Sequence, residues 1–346
     1  LDFMKISTES LVLTSGAYRH YGGEWKSTFE FTPSDCLVFA DWHCSLFSRD
    51  FPTSYCLVGL LQEKHLYLSG LSIGSNDSWL FIATPESITG IEKNHGNSVS
   101  ADISVVQVAS DGQNVYCLKD ETVTLLKVCN FGNIIAVDRP LSLTIKIKSI
   151  SCGLGFLLCL TFSGQVFSQG IGSRGQLGLG DLTDKTELTI IEALQILTVT
   201  QIAAGNWHSV CLTDTGDVYT WGWNEHGQLG HRSLGISNKS NSITEKERES
   251  CVSVLALPTP VDFPDNLSIS QIACGGCHTA CLTEDGILFC FGCNKFGQLG
   301  FDSSMKAVDA PVTHPLLTNQ QLDSNMVISS VYCGLWSTTL YLNSKT

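Results

Sequence analysis

Short apolar runs broken by Gly, Asp and Thr set the rhythm of the second half of the chain. Val210-Cys211-Leu212-Thr213 and Val218-Tyr219-Thr220-Trp221 are β-prone runs flanking Asp214-Thr215-Gly216, a turn whose glycine can take positive φ. Thr283-Glu284-Asp285-Gly286 repeats the arrangement with a literal Asp-Gly. The pattern predicts strand pairs joined by tight turns. A content of 31 glycines, 9 prolines and 3 methionines likewise favours turns and strands over long helices.

These runs belong to a repeat. Counted from Gly153, Gly205 and Gly275, a second glycine follows 11 residues on (Gly164, Gly216, Gly286) and a third 17 on (Gly170, Gly222, Gly292). Gln-Leu-Gly then begins 23 residues on, at Gln176, Gln228 and Gln298. This ending suits a loop, with glycine for tight backbone and glutamine to bond exposed peptide groups. A partial copy, Val331 to Tyr341, stops before its Gly-Gln-Leu-Gly half, and Leu11 to Gly16 with Tyr21-Gly22-Gly23 looks like what is missing. Pairing the two termini in one sheet would remove the free edge between first and last units. Decayed copies lie at Leu37–Ser45 and Val106–Asp111, and the register between Trp79 and Ile91 is unreadable.

The expectation is therefore all-β: one β-propeller domain over 1–346, its ring closed by N- and C-terminal strands. Units of about 40–50 residues give seven blades, with six possible. Clear repeats fall at 148–181, 199–231, 269–301 and 328–342 (completed by 11–23), and degenerate blades at 33–130. Residues 231–261 form a polar, charge-mixed insertion that reads as a mobile surface loop.

Composition narrows the function. Hydrophobic residues at 43% and charged residues at 15% exclude a disordered chain. Twenty Lys plus Arg against 33 Asp plus Glu leave a formal charge of −13, and no basic run exists, so direct nucleic-acid binding is not expected. No apolar stretch approaches the roughly 20 residues that span a bilayer, and no signal peptide is visible at Leu1–Ser7. Fifteen cysteines, many inside apolar runs, read as reduced core thiols.

Some motifs imitate chemistry. Cys274-Gly-Gly-Cys277-His278 has the form of a haem attachment site, and with Cys290-x-x-Cys293 that of a zinc ribbon. In the neighbouring copy the four cysteines become Ala204, Trp207, Thr220 and Trp223 while the histidine stays, as His208. The repeat thus needs its histidine independently of any cofactor. Gly170-Ile-Gly-Ser-Arg-Gly175 precedes a poor helix former, so no dinucleotide site is expected there. No cofactor, no metal and no catalytic residue follow from the sequence.

A partner site is the better expectation. Two residues after its key position the repeat carries Trp42, Trp207 and Trp336, followed by His43, His208 and His278. These tryptophans either anchor a partner at the channel mouth or pack between blades. Asp41 and Asp111, with the net charge, would make the mouth acidic and receptive to a basic peptide. The channel-mouth candidates are Asp41, Trp42, His43, Asp111, Trp207, His208 and Trp336. Within the insertion, solvated filler is the first reading, and Glu245, Glu247 and Arg248 are the candidates if it binds.

Ala-Gly-x-x-His-Ser, Thr-x-x-Gly-x-Val-Tyr-x-Trp-Gly and Asn-x-x-Gly-Gln-Leu-Gly resemble the regulator of chromosome condensation repeat, specifically over 148–302 and weakly over 1–130. The resemblance implies a seven-bladed propeller and a non-catalytic interaction module, monomeric apart from its partner. For the branch without a second domain it implies a JmjC-type oxygenase (histone demethylase) as partner. It also implies roles in chromatin regulation and mitotic chromosome segregation, and nuclear and cytosolic location with chromosome association through the partner. The alternative that it implies is guanine-nucleotide exchange on a Ran-like small GTPase.

Overall fold

The computed structural model describes residues 145–237, 249–264, 267–302, 304–315 and 326–344, together with strands between Asp2 and Pro140 and a few of their connections. Among the described residues the strands form five four-stranded sheets, one five-stranded sheet and one two-stranded ribbon, and the paired strands within them are antiparallel. The fold is a β-propeller. Each clear repeat is a four-stranded meander. One runs through Val199–Ala204, His208–Thr213, Val218–Trp223 and Val254–Pro260. Ile147–Gly153 opens the preceding blade and Ile269–Cys274 the following one. These first strands pack against one another in succession, from Gln107–Ser110 through to Met326–Gly334.

The expected closure is present. Ser10–Gly16 pairs with Ser337–Ser344, Ser10 opposite Asn343 and Gly16 opposite Ser337, and Asp2–Lys5 extends the sheet outward. Tyr18–Arg19 pairs instead with Trp25–Lys26, and Tyr21 to Gly23 lie outside the described residues. So does the decayed copy at 37–45, whereas the copy at 106–111 supplies the first strand Gln107–Ser110.

Sandwiching explains the apolar runs. Successive side chains on a strand point to opposite faces, and a blade has a neighbour on each face. In Phe156–Thr161 all six residues are buried. Leu157 and Cys159 join the core shared with the preceding blade, while Phe156, Leu158 and Leu160 join the core shared with the next, around Leu177, Cys211 and Trp221. The outer strands Lys185–Ile190, Val254–Pro260 and Ala307–Thr313 are only partly covered. Burial puts little demand on their sequence, so they carry no shared pattern. Val254–Pro260 therefore lies hidden inside the segment that the sequence reads as an insertion.

Two devices lock neighbouring first strands. Gln201 donates from Nε2 to Ser270 O (2.7 Å) and accepts from Ile272 N at Oε1 (3.2 Å). Gln271 clasps both backbone groups of Val331, and Gln107 both of Ile150. The side-chain amide thus pairs a strand edge that no other strand reaches. At the strand ends the blades touch through glycine. A Cβ on Gly205 would lie 2.5 Å from Gly275 O, and one on Gly275 would lie 2.6 Å from Gly334 O. Among the described residues no helix is long and apolar enough to cross a membrane.

Candidate functional site

Strand alternation puts two loop sets on one end of the ring. The short link after the first strand (205–207, 275–277, 335–336) and the Gly-Gln-Leu-Gly loop after the third strand share a face. The 214–217 turn and the inter-blade links occupy the other. On the first face the backbone geometry is built by the repeat glutamines. Gln176, Gln228 and Gln298 are buried, and their Oε1 atoms accept from the backbone N–H of Arg174, His226 and Phe296 at 2.8–2.9 Å. Their backbone carbonyls receive hydroxyls from the next blade: Ser209 (2.8 Å), Thr279 (2.8 Å) and Thr338 (2.6 Å) respectively.

His208 belongs to this scaffold and not to a binding surface, which corrects the sequence expectation. It is fully buried, with Nε2 3.0 Å from Thr279 Oγ1 across the blade boundary. His278 stands in the same relation to Thr338, at 3.1 Å. Each threonine has one proton and gives it to a glutamine carbonyl, so the imidazole must donate from Nε2. Both rings are neutral. Burial drives their pKa values down, to about 3 for His208 and about 4 for His278, with the neighbouring His278 adding to the effect on His208. Sequence register correctly marked the histidine as a repeat requirement, but the requirement is inter-blade packing.

Asp111 is also corrected. It is 4% exposed and accepts from the Tyr116 hydroxyl at 3.0 Å, so it does not present charge at a mouth. Asp41, Trp42 and His43, and Glu245, Glu247 and Arg248 in the insertion, lie outside the described residues.

Trp207 and Trp336 are partly exposed, and both lie on blade boundaries. Arg174 reaches over from the preceding blade to lie 5.2 Å from the Trp207 ring centroid and 4.5 Å from that of Trp223. His226 meets Trp223 edge-on at 5.6 Å. At a later boundary Phe296, 41% exposed, meets Trp336 edge-on at 5.1 Å, and Lys295 lies 5.4 Å from the Phe296 ring. The structure thus joins the two tryptophans singled out from the sequence to Arg174, Trp223, His226 and Phe296, which sequence reasoning passed over. The signal was present: Arg174, His226 and Phe296 occupy one repeat position, 21 residues after the key glycine. What it lacked was the rule that this position touches the next blade.

The cysteine pairs do not converge on a metal. Cys274 packs into the core between its own blade and the preceding one, and Cys290 into the core shared with the closing sheet. Among the described residues no three His, Cys, Asp or Glu side chains are grouped to hold an ion. Burial pushes the Cys277 thiol up to about 12, with the adjacent Cys293 adding to the shift and Arg174 opposing it, so it stays protonated and unreactive.

Comparison with known proteins agrees with this geometry. The regulator of chromosome condensation (RCC1) repeat matches residues 163–212, 215–282 and 285–341. Each matched unit starts near the second turn of one blade and ends on the second strand of the next, so the sequence unit bridges blades. RCC1 domain-containing protein 1 of Mus musculus is 36% identical over 221 residues, covering 59% of this chain and 57% of that protein. Its Homo sapiens counterpart is 32% identical over 227 residues, covering 60% and 59%. The match thus spans less than two thirds of either relative. Among solved structures, human WBSCR16 superposes over 98% of this chain and 99% of its own, with a TM-score of 0.63 at 14% identity. Prp20p from Saccharomyces cerevisiae covers 78% of this chain and 67% of its own, with a TM-score of 0.58 at 17% identity, in a study of its binding to Gsp1p and histones. The repeat glycines, the buried histidine ladder and the matched units together place the chain in the RCC1 repeat family.

Proposed function

We propose that the chain is a non-catalytic interaction module that engages a protein partner through the loop face bearing Trp207, Trp223 and Trp336. The observation that carries this reading is the run of partly exposed aromatic rings on the one face whose backbone is locked by glutamine carbonyls. Large aromatics on rigid loops supply contact area at small entropic cost, and tryptophan is prominent among interface anchors. A JmjC-type oxygenase is the proposed partner. This choice rests on the resemblance to RCC1 domain-containing protein 1, as do action in chromatin regulation and mitotic chromosome segregation and a nuclear and cytosolic location. Exchange activity on a Ran-like GTPase is the weaker reading, because the likeness to Prp20p is one of fold.

The test is calorimetric titration of this chain against purified JmjC-type oxygenases. Trp207→Ala and Trp336→Ala should each weaken binding by roughly 30-fold or more, the cost of an interface anchor. Wild-type binding that neither substitution changes would remove the loop face from the account. No binding to any oxygenase would remove the partner.

A further inference from the structure

Arg174 sits in a setting that the repeat provides only once among the described residues. Its loop is fixed at the root: the Arg174 backbone N–H donates to Gln176 Oε1 (2.8 Å), and Gly175 N donates to Gly172 O (2.8 Å). From there the guanidinium crosses the blade boundary and stacks against Trp223 at 4.5 Å and Trp207 at 5.2 Å. All three side chains are partly exposed. At the next boundary the equivalent positions hold His226, Cys277 and Cys293, and at the one after that Phe296 and Trp336. A cation is therefore not a general requirement of the blade boundary.

Among the described residues the guanidinium is also unpaired. No carboxylate, carbonyl or hydroxyl among them bonds its N–H groups. Contact with two indoles restrains the group, and a planar guanidinium fork matches a carboxylate bidentately. A monoanion suits the site better than a phosphate dianion. Among the described residues no second cation contacts these two rings to balance a second charge on one bound group; the chain's net charge of −13 opposes any anion. Beyond about 8 Å that surrounding charge is screened at physiological salt, which leaves the local arginine in control of close contacts.

We propose that Arg174, held over the rings of Trp207 and Trp223, is a recognition site for a carboxylate on an acidic peptide segment of the partner. This reverses the charge expected of the partner from Asp41 and Asp111. It rests on the loop-face reading above and assigns that face its ligand chemistry.

Acetylated, amidated hexaglutamate supplies side-chain carboxylates, hexaglutamine with a free C-terminus supplies only a terminal one, and inorganic phosphate is the third probe. Each is titrated into the whole chain at physiological salt and read by indole fluorescence and calorimetry. Saturable binding of either carboxylate peptide, weakened at least tenfold by Arg174→Gln with an unchanged thermal midpoint, supports the site; which peptide binds identifies the source. Arg174→Lys keeps the charge but loses the fork, so it should also weaken binding, and it carries the test if Arg174→Gln does not fold. Equal affinity in wild type and the Arg174 variants, or binding of phosphate in preference to both peptides, overturns the proposal. Oxygenase binding that depends on Trp336 while hexaglutamate ignores Arg174 would leave the interaction reading intact and remove the carboxylate assignment alone.

Discussion

Mild acid should loosen this protein, and the histidine ladder sets by how much. His208 and His278 are neutral donors in the folded state, with pKa values near 3 and 4, and burial is the main cause. His314, also buried, is lowered to about 4. An unfolded histidine titrates near 6.5. The folded values lie below the unfolded one, so the unfolded chain takes up protons first. The ladder's contribution is complete above pH 6.5 and is lost as pH falls from there toward 4 and then 3. At pH 5.5 an unfolded histidine is about nine-tenths protonated, which gives a slope of about 1 kcal/mol per pH unit for each. Between pH 7 and 5 each loses about 2 kcal/mol, or roughly 5–6 kcal/mol for the three together. The comparison is between wild type and a His208→Gln/His278→Gln double variant. Urea unfolding is followed by tryptophan fluorescence at pH 7, 6 and 5, a range chosen to stay above the titration of exposed carboxylates. The variant should be weaker at pH 7, having lost two hydrogen bonds across blades, and should lose the part of the pH slope that these two imidazoles supply, about 4 kcal/mol between pH 7 and 5. An equally steep slope in both proteins would refute the assignment of neutral, buried imidazoles.

Three further outcomes follow from the same geometry. Gly222 has φ +104°, and an added Cβ would lie 2.5 Å from Trp207 O; Gly222→Ala should cost more than about 1 kcal/mol in denaturant stability, and a neutral result would contradict the close packing under the loop face. Gln271→Leu leaves the Val331 N–H and carbonyl without their clasp, at a cost of about 1–3 kcal/mol; hydrogen exchange at Val331 should accelerate, and unchanged protection there would count against the clasp. Release of fluorescent nucleotide from Ran-family GTPases should be no faster with micromolar protein than without, and acceleration would favour the exchange reading over the scaffold reading.

The sequence by itself determined the repeat, the strand-and-turn character of each copy and the closure of the ring by both termini. These follow from local chemistry. Gly164, Gly216 and Gly286 hold φ of 78–84° at the hairpin turns, a backbone state that glycine enters without a side-chain penalty, so the requirement is written at the position that meets it. Interior strands were legible for a related reason: burial on both faces demands apolar residues throughout. The outer strands were not, because Val254–Pro260 satisfies little beyond one row of hydrogen bonds.

What only the tertiary structure decided is which repeat positions meet across a blade boundary. Trp207 and His208 are adjacent in the chain, yet one ring lies on the loop face against an arginine 33 positions earlier and the other is buried against a threonine 71 positions later. Sequence register showed that both positions recur but not which neighbour each one faces. Alternation turns consecutive side chains to opposite sides, and the packing of separate blades decides what waits there. For the same reason Arg174 was invisible as a candidate: its significance comes from two tryptophans of another blade and from the absence, among the described residues, of any carboxylate bonded to its guanidinium.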